Sequence, residues 1–128
     1  MKEILVIEAD PIIMNLIVTL LEREGYQVIQ CPAAEGCIEA AGRHAPDLVR
    51  MDVAPPGMDD LAAIRILKAM EETRRVPVIA LTAQNMKQNG EKAVRAGCDG
   101  FIVKPPSPLV FLTEVACLLY GEARAGRG

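Results

Sequence analysis

Residues 4–11 decide the fold, and they read ILVIEADP. The first four residues are continuously apolar and mostly β-branched, which is typical of a strand covered on both faces of a sheet. Asp10 and Pro11 then have the chemistry of a helix N-cap followed by proline at the first helical position. A buried strand that leads through a short acidic turn into a helix is the repeating unit of parallel α/β sheets.

The same unit recurs along the chain. Apolar runs of strand length lie at residues 27–31, 47–52, 76–81 and 101–103, and a segment with helical spacing follows each of them. We expect helices at about residues 11–24, 33–41, 60–72, 86–96 and 108–120. Five such units predict an α/β fold, a (βα)5 doubly wound parallel sheet with helices on both faces and right-handed crossovers.

Glycines and apolar stripes predict the ends and faces of these helices. Gly25 and Gly42 are expected to end the first two helices, because glycine readily adopts the left-handed conformation of a C-cap. The apolar residues with helical spacing are Ile13, Leu16, Ile17 and Leu20 in the first helix, and Leu112, Val115, Ala116 and Leu119 in the last. Phe111 and Leu118 lie off the last stripe. They are expected either to form an exposed apolar patch or to tuck under neighbouring helices.

Length and composition restrict the class of protein. The 128 residues suffice for one domain, expected at residues 1–120, with a flexible tail at residues 121–128. Hydrophobic residues make up 51% and aromatic residues 3%, so the core must be aliphatic. A net charge of −3 without a basic stripe argues against nucleic-acid binding. No apolar run approaches the roughly 18–20 residues that cross a bilayer, so we expect no membrane association.

The cysteines indicate the compartment. Cys31, Cys37, Cys98 and Cys117 lie in apolar segments without CxxC spacing. Such cysteines are expected to be buried thiols in a reducing environment rather than disulfides or metal ligands. Since the first residues also lack the pattern of a signal peptide, we expect a cytoplasmic protein.

Chemically reactive residues follow the predicted strands. Glu8 and Asp10 follow the first strand, Asp52 ends the third, Thr82 follows the fourth and Lys104 follows the fifth. The carboxyl ends of parallel strands share one edge of the sheet, so these residues should converge. Grouped carboxylates favour Mg²⁺, whereas lysine and threonine favour a phosphoryl group. An aspartate beside both is a candidate phosphoryl acceptor.

These residues carry a resemblance to a known family. From residue 3 to about residue 120 the chain resembles the receiver domain of two-component response regulators, in particular single-domain regulators of chemotaxis or cell-cycle type. The matching stretches are ILVIE at 4–8, PDLV at 46–49, MD at 51–52, PGMD at 56–59, VIALTA at 78–83, AGCD at 96–99 and VKP at 103–105. The resemblance implies the flavodoxin-like receiver fold with strand order 2-1-3-4-5.

The resemblance also implies a role for each matching residue. Asp52 would accept a phosphoryl group from a histidine kinase or a histidine phosphotransfer protein. Mg²⁺ would be held by Asp52, by Glu8 through water and by the backbone carbonyl of Ala54. Thr82 and Lys104 would bind the phosphoryl group, and Phe101 with Thr82 would form the switch. The resulting protein would be a signalling module rather than an enzyme.

The resemblance further implies an interaction surface. Receivers of this kind bind a downstream target or a dimer mate through the surface of the fourth helix, fifth strand and fifth helix. In this chain that surface would include Phe101, Phe111 and Leu118.

Three positions depart from the family pattern. Ala9 replaces the second of two adjacent acids, the direct metal ligand, so Mg²⁺ binding should be weakened. Asp10 could reach inward instead, although its expected role is the helix N-cap. Arg50 replaces an aliphatic residue in the most buried strand. It is expected either to pair with Asp52 or Glu8 or to extend past a helix to solvent. Asp60 replaces a glycine and is expected to cap the third helix.

Several functional classes stay open at this level. The first is a phosphorylation-controlled receiver without an output domain. The second is a degenerate receiver that acts as a phosphorylation-independent protein-interaction adaptor, because Ala9 and Arg50 have silenced the metal site. A metal-dependent hydrolase lacks a second acid as general base beside Asp52. A nucleotide- or flavin-binding module lacks the glycine-rich phosphate loops.

Overall fold

The computed structural model describes residues 2–33, 36–52, 58–83, 94–104 and 107–120. The strands are β1 (Glu3–Ile7), β2 (Gln27–Cys31), β3 (Leu48–Asp52), β4 (Val78–Ala83) and β5 (Gly100–Lys104). The helices are α1 (Pro11–Arg23), α2 (Cys37–His44), α3 (Met58–Ala69) and α4 (Pro108–Tyr120), the last being the fifth in the sequence prediction. Ala54, most of the helix expected at residues 86–96 and the tail expected at residues 121–128 lie outside the described residues.

The five strands form one parallel sheet with the order β2-β1-β3-β4-β5. In the centre of the sheet, Leu5 of β1 pairs with Ile29 of β2 on one side and with Val49 of β3 on the other. This arrangement confirms both the predicted fold class and the strand order that the resemblance implies. Because β1 and β3 are neighbours inside the sheet, the residues at their carboxyl ends lie in the middle of one edge, which we call the carboxyl edge.

Two apolar clusters hold the helices against the two faces of the sheet. On one face, α1 and α4 pack against alternate strand residues, among them Ile4, Val6 and Leu48. On the other face, α2 and α3 pack against the intervening residues, such as Leu5 and Val49. All five of these side chains are almost fully buried, as expected of a parallel sheet covered on both faces. None of the described helices is long and apolar enough to cross a membrane.

Helix α1 begins where the sequence predicts but buries a different face. Asp10 is its N-cap and Pro11 its first residue. The buried residues are Met14, Ile17, Val18 and Leu21. Only Ile17 belongs to the stripe inferred from the sequence, and Leu16 of that stripe is 60% exposed. The two stripes are both apolar, so periodicity alone does not distinguish the one that faces the sheet.

Two helix ends differ from the prediction. Helix α2 continues through Gly42 to His44, and Ala45 adopts the left-handed conformation of the C-cap with a φ of 48°. Helix α3 begins at Met58, so Asp60 is its third residue. The prediction that Asp60 is the N-cap is therefore wrong, because the helix starts before this acid is reached. An acid in the first turn still interacts favourably with the helix dipole.

Helix α4 overturns the predicted exposed patch. The Ser107 hydroxyl accepts a hydrogen bond from the Val110 N–H at 3.1 Å and caps the helix as expected. Phe111 is only 3% exposed and Leu118 is partly buried, and both pack in the cluster that also contains α1. The exposed-patch interpretation is wrong because the helix turns Phe111, Val115 and Leu118, which share one face at helical spacing, towards the protein interior.

Candidate functional site

Three of the predicted site residues lie at the carboxyl ends of three neighbouring strands. Asp52 is the last residue of β3 and pairs with Leu81 of β4. Thr82 follows Leu81 on β4 and pairs with Val103 of β5, and the next pair between these two strands joins Ala83 to Lys104. For Asp52, Thr82 and Lys104 the structure describes the backbone positions, and these lie on three adjacent strands at the carboxyl edge. This is the convergence that the spacing of the sequence predicts.

Glu8 joins this group from β1 through a carboxylate with two hydrogen-bond partners. It follows Ile7, which pairs with Met51, so its backbone lies at the level of Asp52. Glu8 is 5% exposed. Its Oε1 accepts a hydrogen bond from Nη1 of Arg50 at 3.1 Å, and its Oε2 accepts one from the backbone N–H of Asp10 at 3.1 Å. Both carboxylate oxygens are therefore engaged within the protein.

Arg50 lies in the middle of the sheet and has a buried side chain. Its neighbours in register are Val6 on β1 and Ile79 on β4, both in the apolar cluster. The side chains of Arg50 and Glu8 are only 3% and 4% exposed. Arg50 therefore does not extend past a helix to solvent, and the alternative that it pairs with an acid of the site is confirmed for Glu8. Removal of Arg50 would leave the buried Glu8 carboxylate without its ion partner, which is strongly unfavourable.

Asp10 and Ala9 complete the turn after β1 without facing the site as ligands. The Oδ1 atom of Asp10 accepts hydrogen bonds from the N–H groups of Ile12 at 2.9 Å and Ile13 at 3.3 Å. This confirms the expected N-cap role. Ala9 is exposed, and its methyl side chain carries no ligating atom. The sequence did not reveal that the backbone N–H of Asp10 would donate a hydrogen bond to the Glu8 carboxylate. A main-chain hydrogen bond does not depend on the type of side chain at that position.

An apolar surface beside the carboxyl edge was also missed. Ile12 and Leu16 on α1 are 80% and 60% exposed, and Leu109 and Val110 on α4 are 76% and 53% exposed. Both helices start soon after a strand ends and pack on the same face of the sheet. The available signal was that α1 carries more large apolar residues than one buried face requires.

The fold and this edge together define a doubly wound α/β domain with an acidic and phosphate-compatible site at its switch point. The family model of the response regulator receiver domain matches residues 4–116. The polar-differentiation response regulator DivK of Brucella ovis is 34% identical over 122 residues, which cover 95% of this chain and 98% of that protein.

Solved structures agree with this assignment. The receiver domain of a signal transduction histidine kinase from Syntrophus aciditrophicus matches with a TM-score of 0.85 and 32% identity, over 94% of this chain and 92% of that one. The receiver domain of the sensor histidine kinase PA1611 from Pseudomonas aeruginosa PAO1 matches with a TM-score of 0.83 and 30% identity, over 92% and 97%. That structure has a magnesium ion coordinated in the active site cleft.

The chain belongs to the response regulator receiver domain family. It is the receiver domain of a two-component response regulator, and its function is phosphorelay signalling. The resemblance inferred from the sequence is confirmed at the level of the family. As a receiver it interacts with histidine kinases or phosphotransfer proteins.

The possible ligand atoms of the described residues do not fit the Mg²⁺ ion that receiver domains generally bind. Both oxygens of Glu8 accept hydrogen bonds, the Asp10 carboxylate caps a helix, and Ala9 has no ligating side-chain atom. Within the described ranges, no group of three or more His, Cys, Asp or Glu residues could hold a metal ion. A buried guanidinium at Glu8 also opposes a second cation by charge repulsion.

Proposed function

We propose that Asp52 is the phosphoacceptor of this receiver. The observation that carries the proposal is its backbone position at the end of β3, at the level of Glu8 and at the same edge of the sheet as Thr82 on β4 and Lys104 on β5. The backbone of Asp52 thus shares this edge with one residue that carries a hydroxyl and one that carries an ammonium group. Those two groups suit the oxygens of a phosphoryl group.

The proposed reaction uses a phosphohistidine of a partner protein as donor. A carboxylate oxygen of Asp52 attacks phosphorus, the new P–O bond forms as the P–N bond breaks, and the released imidazole takes up a proton. Lys104 pairs with the transferred group and Thr82 donates a hydrogen bond to it. Phe101 on β5 then completes the switch with Thr82. The protein itself is modified in this reaction, so we propose a signalling module rather than an enzyme with turnover.

The test uses a small phosphodonor, acetyl phosphate, and intact-mass measurement. The wild-type protein is expected to gain one phosphoryl group, and Asp52→Asn is expected to gain none. Asp10→Asn is the matched control, because asparagine preserves the helix cap and the change removes a nearby acid. A phosphoryl group retained in Asp52→Asn would contradict the assignment. If the wild-type protein gained none from acetyl phosphate or from a phosphorylated phosphotransfer protein, the proposal would be wrong.

A second candidate function has one observation in its favour. The buried Glu8–Arg50 ion pair fills part of the site with protein groups, as expected of a degenerate receiver that works as an interaction adaptor without phosphorylation. The same mass measurement separates the two functions, because an adaptor of this kind gains no phosphoryl group.

We further propose that Ala9 weakens the binding of Mg²⁺. In the family pattern an acid at this position ligates the metal directly, whereas Glu8 acts through water and Ala54 through its carbonyl. An alanine removes one anionic ligand from a cation that requires oxygen donors. Ala9→Asp is expected to raise Mg²⁺ affinity in calorimetry, with Ala9→Asn as the uncharged control. Equal affinities in Ala9→Asp and the wild-type protein would contradict this proposal.

The phosphodonor protein is proposed to dock on the apolar surface formed by Ile12, Leu16, Leu109 and Val110. A partner that delivers a phosphoryl group to Asp52 must approach the carboxyl edge, and this surface adjoins that edge. Exposed apolar side chains of this extent favour protein contacts.

A double substitution tests the docking surface. Ile12→Ser with Leu16→Ser is expected to slow transfer from a phosphorylated phosphotransfer protein by at least about tenfold, the equivalent of roughly 1.4 kcal/mol of binding. Labelling by acetyl phosphate should be unchanged. Ile66→Ser is the control, since Ile66 is 43% exposed on α3, across the sheet. Equal transfer rates in the double variant and the wild-type protein would remove this surface from the mechanism.

A cytoplasmic location is proposed from the cysteines. All four are buried as thiols, and burial raises the pKa of the Cys98 thiol, which keeps it protonated and unreactive at neutral pH. Buried thiols of this kind are typical of proteins in a reducing compartment.

A further inference from the structure

The Glu8–Arg50 ion pair lies at the carboxyl edge, where the resemblance to receivers implies a metal site. The Glu8 carboxylate would contribute to that ion through water, yet Nη1 of Arg50 lies 3.1 Å from its Oε1. Its other oxygen accepts the Asp10 N–H at 3.1 Å. The guanidinium therefore contacts the same carboxylate that would face the hydrated cation.

Burial makes this contact persistent. The two side chains are 3% and 4% exposed, and Arg50 stands between the apolar residues Val6 and Ile79 on the neighbouring strands. Solvent screens such a pair far less than a surface pair. If Glu8 turned to a hydrated metal, this buried ion pair would be broken, which is unfavourable.

The charges of the pair lead to the same conclusion. A single divalent cation normally compensates the grouped acids of a receiver, whereas here a fixed positive charge already neutralises Glu8. A second cation near the guanidinium would be repelled, and Mg²⁺ also demands near-octahedral oxygen coordination and gives up its water reluctantly.

We infer that Arg50 is the resident cation of this site and that it excludes Mg²⁺ from Glu8. The inference deepens the function proposed above and rests on its assignment of the site. Arg50 is thus a positioning residue that holds Glu8, and it limits metal affinity independently of the missing acid at Ala9.

The test measures metal binding in four proteins without any phosphodonor. These are the wild type, Arg50→Met, Ala9→Asp and the double variant Ala9→Asp/Arg50→Met. Each is titrated with Mg²⁺ or Mn²⁺ alone by calorimetry and by the shift in unfolding temperature. Arg50→Lys is the matched control, because it retains a positive charge near Glu8.

Removal of Arg50 is expected to tighten metal binding at least about tenfold in both backgrounds, as a coupling between the guanidinium and the metal requires. Arg50→Met should melt at a lower temperature in a chelator and recover with metal, because a ligand at twentyfold excess over its Kd multiplies the folded-to-unfolded ratio by about twenty. Arg50→Lys should show no gain. Unchanged metal affinity in Arg50→Met and in the double variant overturns the inference.

The wild-type and Ala9→Asp proteins keep the inference testable if the Arg50 variants fail to fold. Both retain Arg50, so neither should bind Mg²⁺ with submillimolar affinity, and such binding in either protein would overturn the inference. The phosphoacceptor proposal is judged separately by the mass gain at Asp52. Failure of one therefore leaves the other standing.

Discussion

At the residue scale, the Glu8–Arg50 pair is the feature that separates this chain from an ordinary apolar sheet. We predict that Arg50→Met lowers the free energy of unfolding by about 3–5 kcal/mol, because it leaves the buried Glu8 carboxylate without its ion partner, and that Glu8→Gln also lowers it. The variant with both changes should lose much less than the sum, since no ion remains to be desolvated. Denaturant unfolding of the four proteins measures this coupling.

The exposed pair of Glu39 and Arg43 on α2 provides the control for that cycle. Its side chains are 77% and 63% exposed, so its coupling should stay below about 0.5 kcal/mol. A coupling at Glu8–Arg50 as small as this one would show that the buried pair is not held together in solution.

The residues of the site could be predicted only in part. The strand-end spacing was sufficient to bring Glu8, Asp52, Thr82 and Lys104 to one edge. The alternation of side chains along β3 placed Arg50 on the same face of the sheet as Asp52. It did not show whether the guanidinium would pair with an acid or extend to solvent. That choice depends on the burial by α1 and α4, which is a tertiary property.

At the element scale, helix α2 shows how a glycine can mislead. Glycine is typical of helix ends, but Gly42 lies inside the helix. Ala45 instead adopts the left-handed C-cap conformation, at a φ of 48°. An added Cβ at Gly42 would meet nothing within 4 Å. The local sequence preference is thus overridden by the position of the next strand, and this helix end was not predictable from the glycine alone.

Placing alanine at position 42 and glycine at position 45 should therefore stabilise the protein. Gly42→Ala is expected to add about 0.5–1 kcal/mol, because glycine is a poor helix former. Ala45→Gly should add about 1 kcal/mol by relieving the left-handed strain. Thermal and denaturant unfolding measure both changes. Gly25→Ala is the contrasting control, since Gly25 has a φ of 89° and also open space around it, and it should destabilise the protein.

The strands were easier to predict than the helix faces. The bounds of β2 agree with the prediction, and β1 differs by one residue. Helices α1 and α4 each carry two apolar stripes. The buried one is selected by packing between the helix and the sheet, which periodicity does not report.

At the scale of the whole molecule, one face of the sheet carries both a buried apolar cluster and the proposed docking surface. Helices α1 and α4 share one apolar cluster, yet they also expose apolar side chains near their first residues, on the side of the carboxyl edge. The interior of this cluster holds Phe111, and the surface beside it holds Leu109. In the proposed function, core packing and partner docking therefore use different sides of the same two helices.

This division gives a prediction for neighbouring positions on α4. Phe111→Ala should lower the free energy of unfolding by about 3–5 kcal/mol, because it opens a cavity among side chains from β1, β4 and α1. Leu109→Ala removes a side chain that is 76% exposed and should change stability by less than about 0.5 kcal/mol. Denaturant unfolding compares the two variants, and far-ultraviolet circular dichroism checks that both retain the fold. A Phe111→Ala protein as stable as Leu109→Ala would mean that Phe111 does not support the core. Phe111 is predicted to stabilise the core, so Phe111→Ala should weaken partner binding only in proportion to the fraction of unfolded protein. Substitutions at the exposed apolar surface should instead weaken partner binding while the protein stays fully folded.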